Sequence, residues 1–184
     1  MEALNPRSRK DAYGNRINRR HSTLLAVCVP WITILLGSLL PQFFLTSALP
    51  LIPPLGFIML IAWRLVRPGL MPIWAGFPLG AFDDLFSGQP FGSAILLWSL
   101  ALIAIEVMDQ RLPWRNFPQD WFSASITFSV YAAGGFLISG ALITLPAFIG
   151  LGPQLLLSIL LFPVAARIVA WLDRLRLTRW RAVS

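Results

Sequence analysis

Few residues in this chain could do acid–base, metal or nucleophilic chemistry. It has eight acidic residues, one histidine and one cysteine. Asp83 and Asp84 are adjacent, and successive residues of a helix diverge by about 100°. They cannot both aim at one reacting atom, whereas an aspartyl mechanism needs two carboxylates sharing a site. A metal centre needs more ligands converging than any segment here supplies. Cys28 lies alone in an apolar run with His21 just ahead of it, which gives no His-assisted nucleophile, no internal disulfide and no zinc cluster. The expected catalytic, cofactor and metal sites are therefore none. Glu106, Asp109 and Asp120 fall among Arg111 and Arg115; that mixture reads as a solvated or locally paired loop, or as a cytoplasmic contact surface.

The one patterned segment is Gly76-x3-Gly80-x3-Asp84-x3-Gly88-x3-Gly92. Residues four apart share a helix face, drifting by about 40° per step, so Gly76, Gly80 and Asp84 form a stripe. Small residues at that spacing let a neighbouring backbone approach closely. The stripe then delivers the Asp84 carboxylate toward the packed interior, where an acid persists only with a hydrogen-bond or charge partner. One reading of Asp84 is a hydrogen-bonded helix terminus, bonded for instance to the following turn's amides or to Ser87. Another is a functional intramembrane acid. Asp83, turned away, reads as a solvated residue near the headgroups, at which Asp83→Asn is nearly silent. Ser87-Gly88-Gln89-Pro90 reads as a tight turn.

Composition sets the elements that must hold this stripe. The chain is 57% hydrophobic and 12% charged, which argues against a water-exposed surface. Apolar stretches place six spans at about 24–45, 49–66, 70–86, 92–108, 122–145 and 151–172. At roughly 20 residues each they use about 120 of 184 residues, leaving no room for a soluble domain. The run from Leu24 to Leu45 exceeds the 7–15 residues of a signal-peptide core, so it is read as a retained span. A basic arm, residues 1–22, precedes the spans and is expected to be flexible; a basic tail, 173–184, follows them.

All fifteen basic residues then fall on one side. Arg7, Arg9, Lys10, Arg16, Arg19 and Arg20 precede the first span; Arg64 and Arg67 lie between the second and third; Arg111 and Arg115 lie between the fourth and fifth; the rest close the sixth. Short loops keep basic residues in the cytoplasm, so both termini are expected there, with Arg64 and Arg167 snorkelling inward. The net charge of +7 then reports topology and contact with anionic lipid rather than nucleic acid. Trp63, Trp74, Trp114, Trp121 and Trp171 fall near the inner ends, as an interfacial belt would. Prolines within spans free backbone groups that protein must satisfy, since lipid cannot.

The run from Gly76 to Gly92 resembles the signature of the bacterial rod shape-determining protein MreD family, with Asp84 in the place of that family's aspartate. Pro54 and the apolar span ending in Trp63 resemble its second span, and the Arg111–Trp121 loop resembles its fourth-to-fifth connection. The arm is longer than the resemblance leads one to expect, and an Asp doublet replaces a single Asp.

The resemblance implies an all-α, polytopic protein of the bacterial plasma (inner) membrane, similar in fold to the substrate-binding subunits of energy-coupling-factor transporters. It implies no catalytic activity, a place in the cell-elongation machinery, and partners comprising an MreC-like single-span periplasmic shape protein, an MreB-like filament and the cell-wall synthases. Gly76, Gly80, Asp84, Gly88 and Gly92 are the candidate structural and partner-docking residues. The alternative is a vitamin-type transporter subunit, whose site would draw on Gln42, Asp84, Gln89 and Gln154.

The topology is checked by reporter fusions. Those after Pro113 and Ser184 are expected to report cytoplasm, and those near Ser47, Gln89 and Gly150 the outer side. A cytoplasmic signal at Gln89 removes the six-span reading.

Overall fold

A computed structural model describes residues 19–20, 23–43, 53–111, 116–140, 145–176 and 181–182. They form six α-helices: α1 (Thr23–Phe43), α2 (Leu55–Val66), α3 (Gly76–Phe86), α4 (Ser93–Arg111), α5 (Phe117–Ile138) and α6 (Leu145–Arg176). Two-residue strands β1 (Arg19–Arg20) and β2 (Arg181–Ala182) pair antiparallel, tying the arm to the tail. Among the described residues, three segments are long and apolar enough to cross a membrane: Ser93–Arg111, Phe117–Ile138 and Gly150–Arg176.

Proline and capping residues set the boundaries. α2 begins at Leu55 rather than near residue 49 because Pro53 and Pro54 come first, and the residue before a proline is disfavoured in the helical region. α3 is shorter than the expected span. A 3₁₀ turn at Ile73–Ala75 precedes it, and Pro78 falls in its first turn, where helical amides go unused. α5 starts five residues early, since the Asn116 amide donates to Gln119 Oε1 at 3.2 Å in a capping box. It stops at Ser139–Gly140, where Gly140 takes a φ of +64°.

α2 is the buried centre, with nine of its twelve residues inside. It packs on α1, α4, α5 and α6. Phe57 gathers the core around it: Tyr131 of α5 stacks at 4.2 Å, Trp98 of α4 lies at 5.7 Å and Phe128 of α5 at 6.0 Å. Phe128 in turn meets Phe162 of α6 edge-on at 6.1 Å. Trp63 belongs to this core and not to an interfacial belt. It is fully buried and donates its Nε1 proton to Thr33 Oγ1 of α1 at 2.9 Å. Trp74, Trp121 and Trp171 are exposed as expected, and Trp114 lies outside the described residues. α1 crosses α2 where Gly37 faces Gly56: a Cβ on Gly37 would sit 3.0 Å from the Gly56 Cα. No glycine stripe marked this second close crossing in the sequence.

The proline rule has a direct instance in α6. Pro163 has no amide proton to give to the carbonyl four residues back, at Ile159. Trp121 of α5 supplies the missing donor, its Nε1 reaching Ile159 O at 3.1 Å. Trp121→Phe keeps an aromatic ring, smaller than the indole, but orphans that carbonyl. It is expected to lower stability in detergent by about 1–3 kcal/mol, whereas Trp74→Phe is expected to change it much less; thermal unfolding of both variants measures the difference.

Candidate functional site

The glycine–aspartate stripe folds into an antiparallel hairpin of α3 and α4. Gly76 and Gly80 face α4 so closely that a side chain has no room. A Cβ on Gly76 would lie 2.8 Å from the Ser99 backbone, and one on Gly80 2.7 Å from the Ala94 carbonyl oxygen. The small-residue stripe is thus used within the chain. Its second half differs from the expected regular repeat. The helix ends at Phe86, and Gly88 and Gly92 take φ values of +69° and +98° in the turn. These two glycines serve backbone conformation rather than helix contact.

Asp84 closes the hairpin. Its carboxylate, buried at 6% exposure, caps the N-terminus of α4. Oδ1 accepts from Ala94 N at 2.8 Å and Ser93 Oγ at 3.2 Å; Oδ2 accepts from Gly92 N at 2.9 Å and Ile95 N at 3.2 Å. Ser93 N donates to Pro90 O and Leu96 N to Gly92 O, so each amide from Ser93 to Leu96 has an acceptor. The first amides of a helix have no partners within it, and a negative charge there is favoured by the helix dipole. The helix-terminus reading of Asp84 is the one realised, with Ser93 and the α4 amides as partners in place of Ser87.

Asp83 does not sit among headgroups. It is buried and lies against Ser38 of α1, since α1 packs on α3 as α4 does. Gln42 of α1 also donates to the Phe86 carbonyl at the end of α3. Both carboxylates are therefore interior, one against each flanking helix, which corrects the reading of Asp83 as solvated and leaves Asp83→Asn without the exposure that would make it silent.

Charged side chains of the opposite end are organised too. Arg64 is buried rather than snorkelling, with its Nη2 paired to Glu106 and to Asp109 at 3.1 Å. Arg67 Nε pairs with Asp173 at 2.8 Å, and Arg176 pairs with the same carboxylate at 2.7 Å while its guanidinium lies 5.7 Å from the Trp63 ring centre. Two of the three acids read as a loop cluster, Glu106 and Asp109, are thus on α4 and bind α2; Asp120 lies apart, in the first turn of α5. Arg111 and Arg167 are exposed, and Arg115 is outside the described residues. Asp173 was not singled out from the sequence. A signal existed, since a carboxylate in a helix's last turn opposes the dipole and calls for cationic partners.

The four groups weighed for a ligand site do not converge. Gln89 and Gln154 line a cavity of 160 Å³ with Tyr131, Ser139 and Ser158, while Asp84 and Gln42 are engaged elsewhere. Small-molecule pockets run to about 300–1,000 Å³, so this space is small for a vitamin. Among the described residues no group of three or more His, Cys, Asp or Glu could hold a metal ion.

Helices of this length and apolarity, locked by a buried helix cap and inter-helix ion pairs, define a helical membrane protein. Residues 18–175 match the family model described as rod shape-determining protein MreD, and the chain belongs to that family. No curated protein and no solved structure matched it.

Two substitutions test the hairpin. Gly80→Ala is expected to lower the yield of folded, detergent-stable protein sharply, while Phe82→Leu on the same helix is expected to be tolerated. Asp84→Asn keeps the shape but turns an amide toward backbone donors, and is expected to cost about 1–3 kcal/mol, with Asp84→Leu costing more. Equal tolerance of Gly80→Ala and Phe82→Leu shows the close approach to be unimportant.

Proposed function

We propose that this protein is a non-catalytic scaffold of the cell-elongation machinery in the bacterial plasma membrane. It links an MreC-like periplasmic shape protein and the wall synthases to a cytoplasmic MreB-like filament. Membership of the rod shape-determining family carries this reading. The site chemistry supports it: Asp84, the acid of the patterned segment, is committed to four hydrogen bonds within the fold.

Six spans with both termini in the cytoplasm is the accompanying topology. Supporting it, the C-terminal ends of α2, α4 and α6 meet through Arg64–Glu106 and Arg67–Asp173, so alternate helices end on one side. The pairing of Arg19–Arg20 with Arg181–Ala182 brings arm and tail together. α2 and α3 are only about 18 and 16 Å long at 1.5 Å per residue, so their flanking turns complete the crossing of a hydrocarbon core about 30 Å thick.

Complementation in a strain depleted of its own family member tests the role, with membrane levels of each variant measured alongside. The intact chain is expected to restore rods and to copurify a single-span periplasmic protein. Asp84→Leu is expected to give rounded cells. Asp83→Asn is expected to fall between, because its carboxyl is interior as well. A stoichiometric small molecule bound to the purified chain, without that protein partner, would instead favour a transporter subunit.

A further inference from the structure

An apolar groove of 340 Å³ runs along the surface where α1, α2 and α6 meet. Leu36 and Leu40 of α1, Ile58 of α2 and Leu161 and Val164 of α6 form its walls, and Leu172 marks one end. From Leu161 to Leu172 the α6 wall is about 17 Å long at 1.5 Å per residue. A crossing helix needs about 30 Å of hydrocarbon, and one leaflet is about 15 Å deep. The groove has the length of an acyl chain and half that of a transmembrane helix.

A charge cluster follows Leu172 in the chain. Asp173, the next residue, is shared by the guanidinium groups of Arg67 and Arg176, so two positive charges meet one negative charge. Arg176 is turned inward over Trp63, whose Nε1 bonds Thr33 in the groove wall. Arg67 faces out: its side chain is 48% exposed. Its Nε is given to Asp173, and its two Nη groups have no acceptor among the described residues. A guanidinium held by one nitrogen, with the other two free, presents the paired donors that phosphate oxygens accept.

The geometry points to a binding site for one anionic phospholipid, an acyl chain lying in the groove and its phosphate on Arg67. Basic pockets between transmembrane helices at the cytoplasmic side are where anionic headgroups bind. The inference rests on the proposed topology only in assigning the site to the inner leaflet.

Lipid retention by the isolated full-length chain tests it, independently of whether the chain restores rod shape. Native mass spectrometry of protein purified in mild detergent is expected to show one retained phosphatidylglycerol per chain. After delipidation, phosphatidylglycerol is expected to bind at least about fivefold more tightly than phosphatidylcholine of the same chain length. Arg67→Gln is expected to remove that preference with helix content unchanged. Should Arg67→Gln not fold, Arg67→Lys, which keeps the charge but loses the fork, is expected to lower the preference about twofold. Val164→Trp, which covers the groove, is expected to weaken both lipids equally. Equal binding of the two lipids by the intact chain, or a preference unchanged in the Arg67 variants, overturns the proposal. So does Val164→Cys in a Cys28→Ser background crosslinking in membranes to another helix, from a second copy or a different protein, since the groove then holds protein.

Discussion

Four amides at the start of a helix must find acceptors, and a membrane protein cannot borrow them from water. In this chain the Asp84 carboxylate accepts from Ala94 N and Ile95 N of α4 and from Gly92 N just ahead of it, while Pro90 O and Gly92 O take Ser93 N and Leu96 N, and much of the α3–α4 region is arranged around that cap. Gly76 and Gly80 bring α3 close enough to α4 for the carboxylate to arrive. Gly88 and Gly92, with their positive φ, bend the intervening turn so that α4 starts beside the end of α3. α1 packs on α3 as well, burying Asp83 beside Ser38. The adjacent acids are, in structure, two separate fastenings of one short helix, Asp84 to α4 and Asp83 to α1.

The other end of the bundle solves a related problem with charges. Arg64 is nearly inaccessible, and a buried cation is tolerated only with close, hydrogen-bonded partners. Glu106 of α4 provides a hydrogen-bonded one and Asp109 a second ion pair, while Arg67 and Arg176 share Asp173. Removing one member of such a cluster leaves another charge uncompensated, so these contacts fix which helices neighbour α2 even where their net energy is modest.

The sequence carried the helical class, the short turn between α3 and α4, and the stripe's role in close packing, because all three follow from local pattern. Spacing alone could show that Gly76, Gly80 and Asp84 share a face, but not whether that face meets its own chain or a partner. It also could not separate Gly88 and Gly92 from the stripe, since four-residue spacing continues across a helix end that only backbone geometry reveals. Asp83 was misplaced because the helical wheel describes one helix, and α1, forty-odd residues away in sequence (Gln42 and Phe86 are 44 apart), covers the side that looked free. Trp63 has the position of a belt residue and the burial of a core one. The Trp121–Ile159 bond joins residues 38 apart, and only the proline at 163 hinted that Ile159 would need a donor.

The pairing of Arg64 has a bearing on biogenesis. Its partner Glu106 lies 42 residues further along, and Asp173, partner of Arg67, lies 106 residues further on. When α2 itself has just been synthesised these acids have yet to be made, and α2 is twelve residues long with nine destined for burial. The α1–α2 pair alone therefore lacks the carboxylates that compensate Arg64 and Arg67. The last turn of α6, near the end of the chain, supplies the final counter-charge, so a nascent protein truncated before Asp173 would reach the membrane without the carboxylate that Arg67 and Arg176 share.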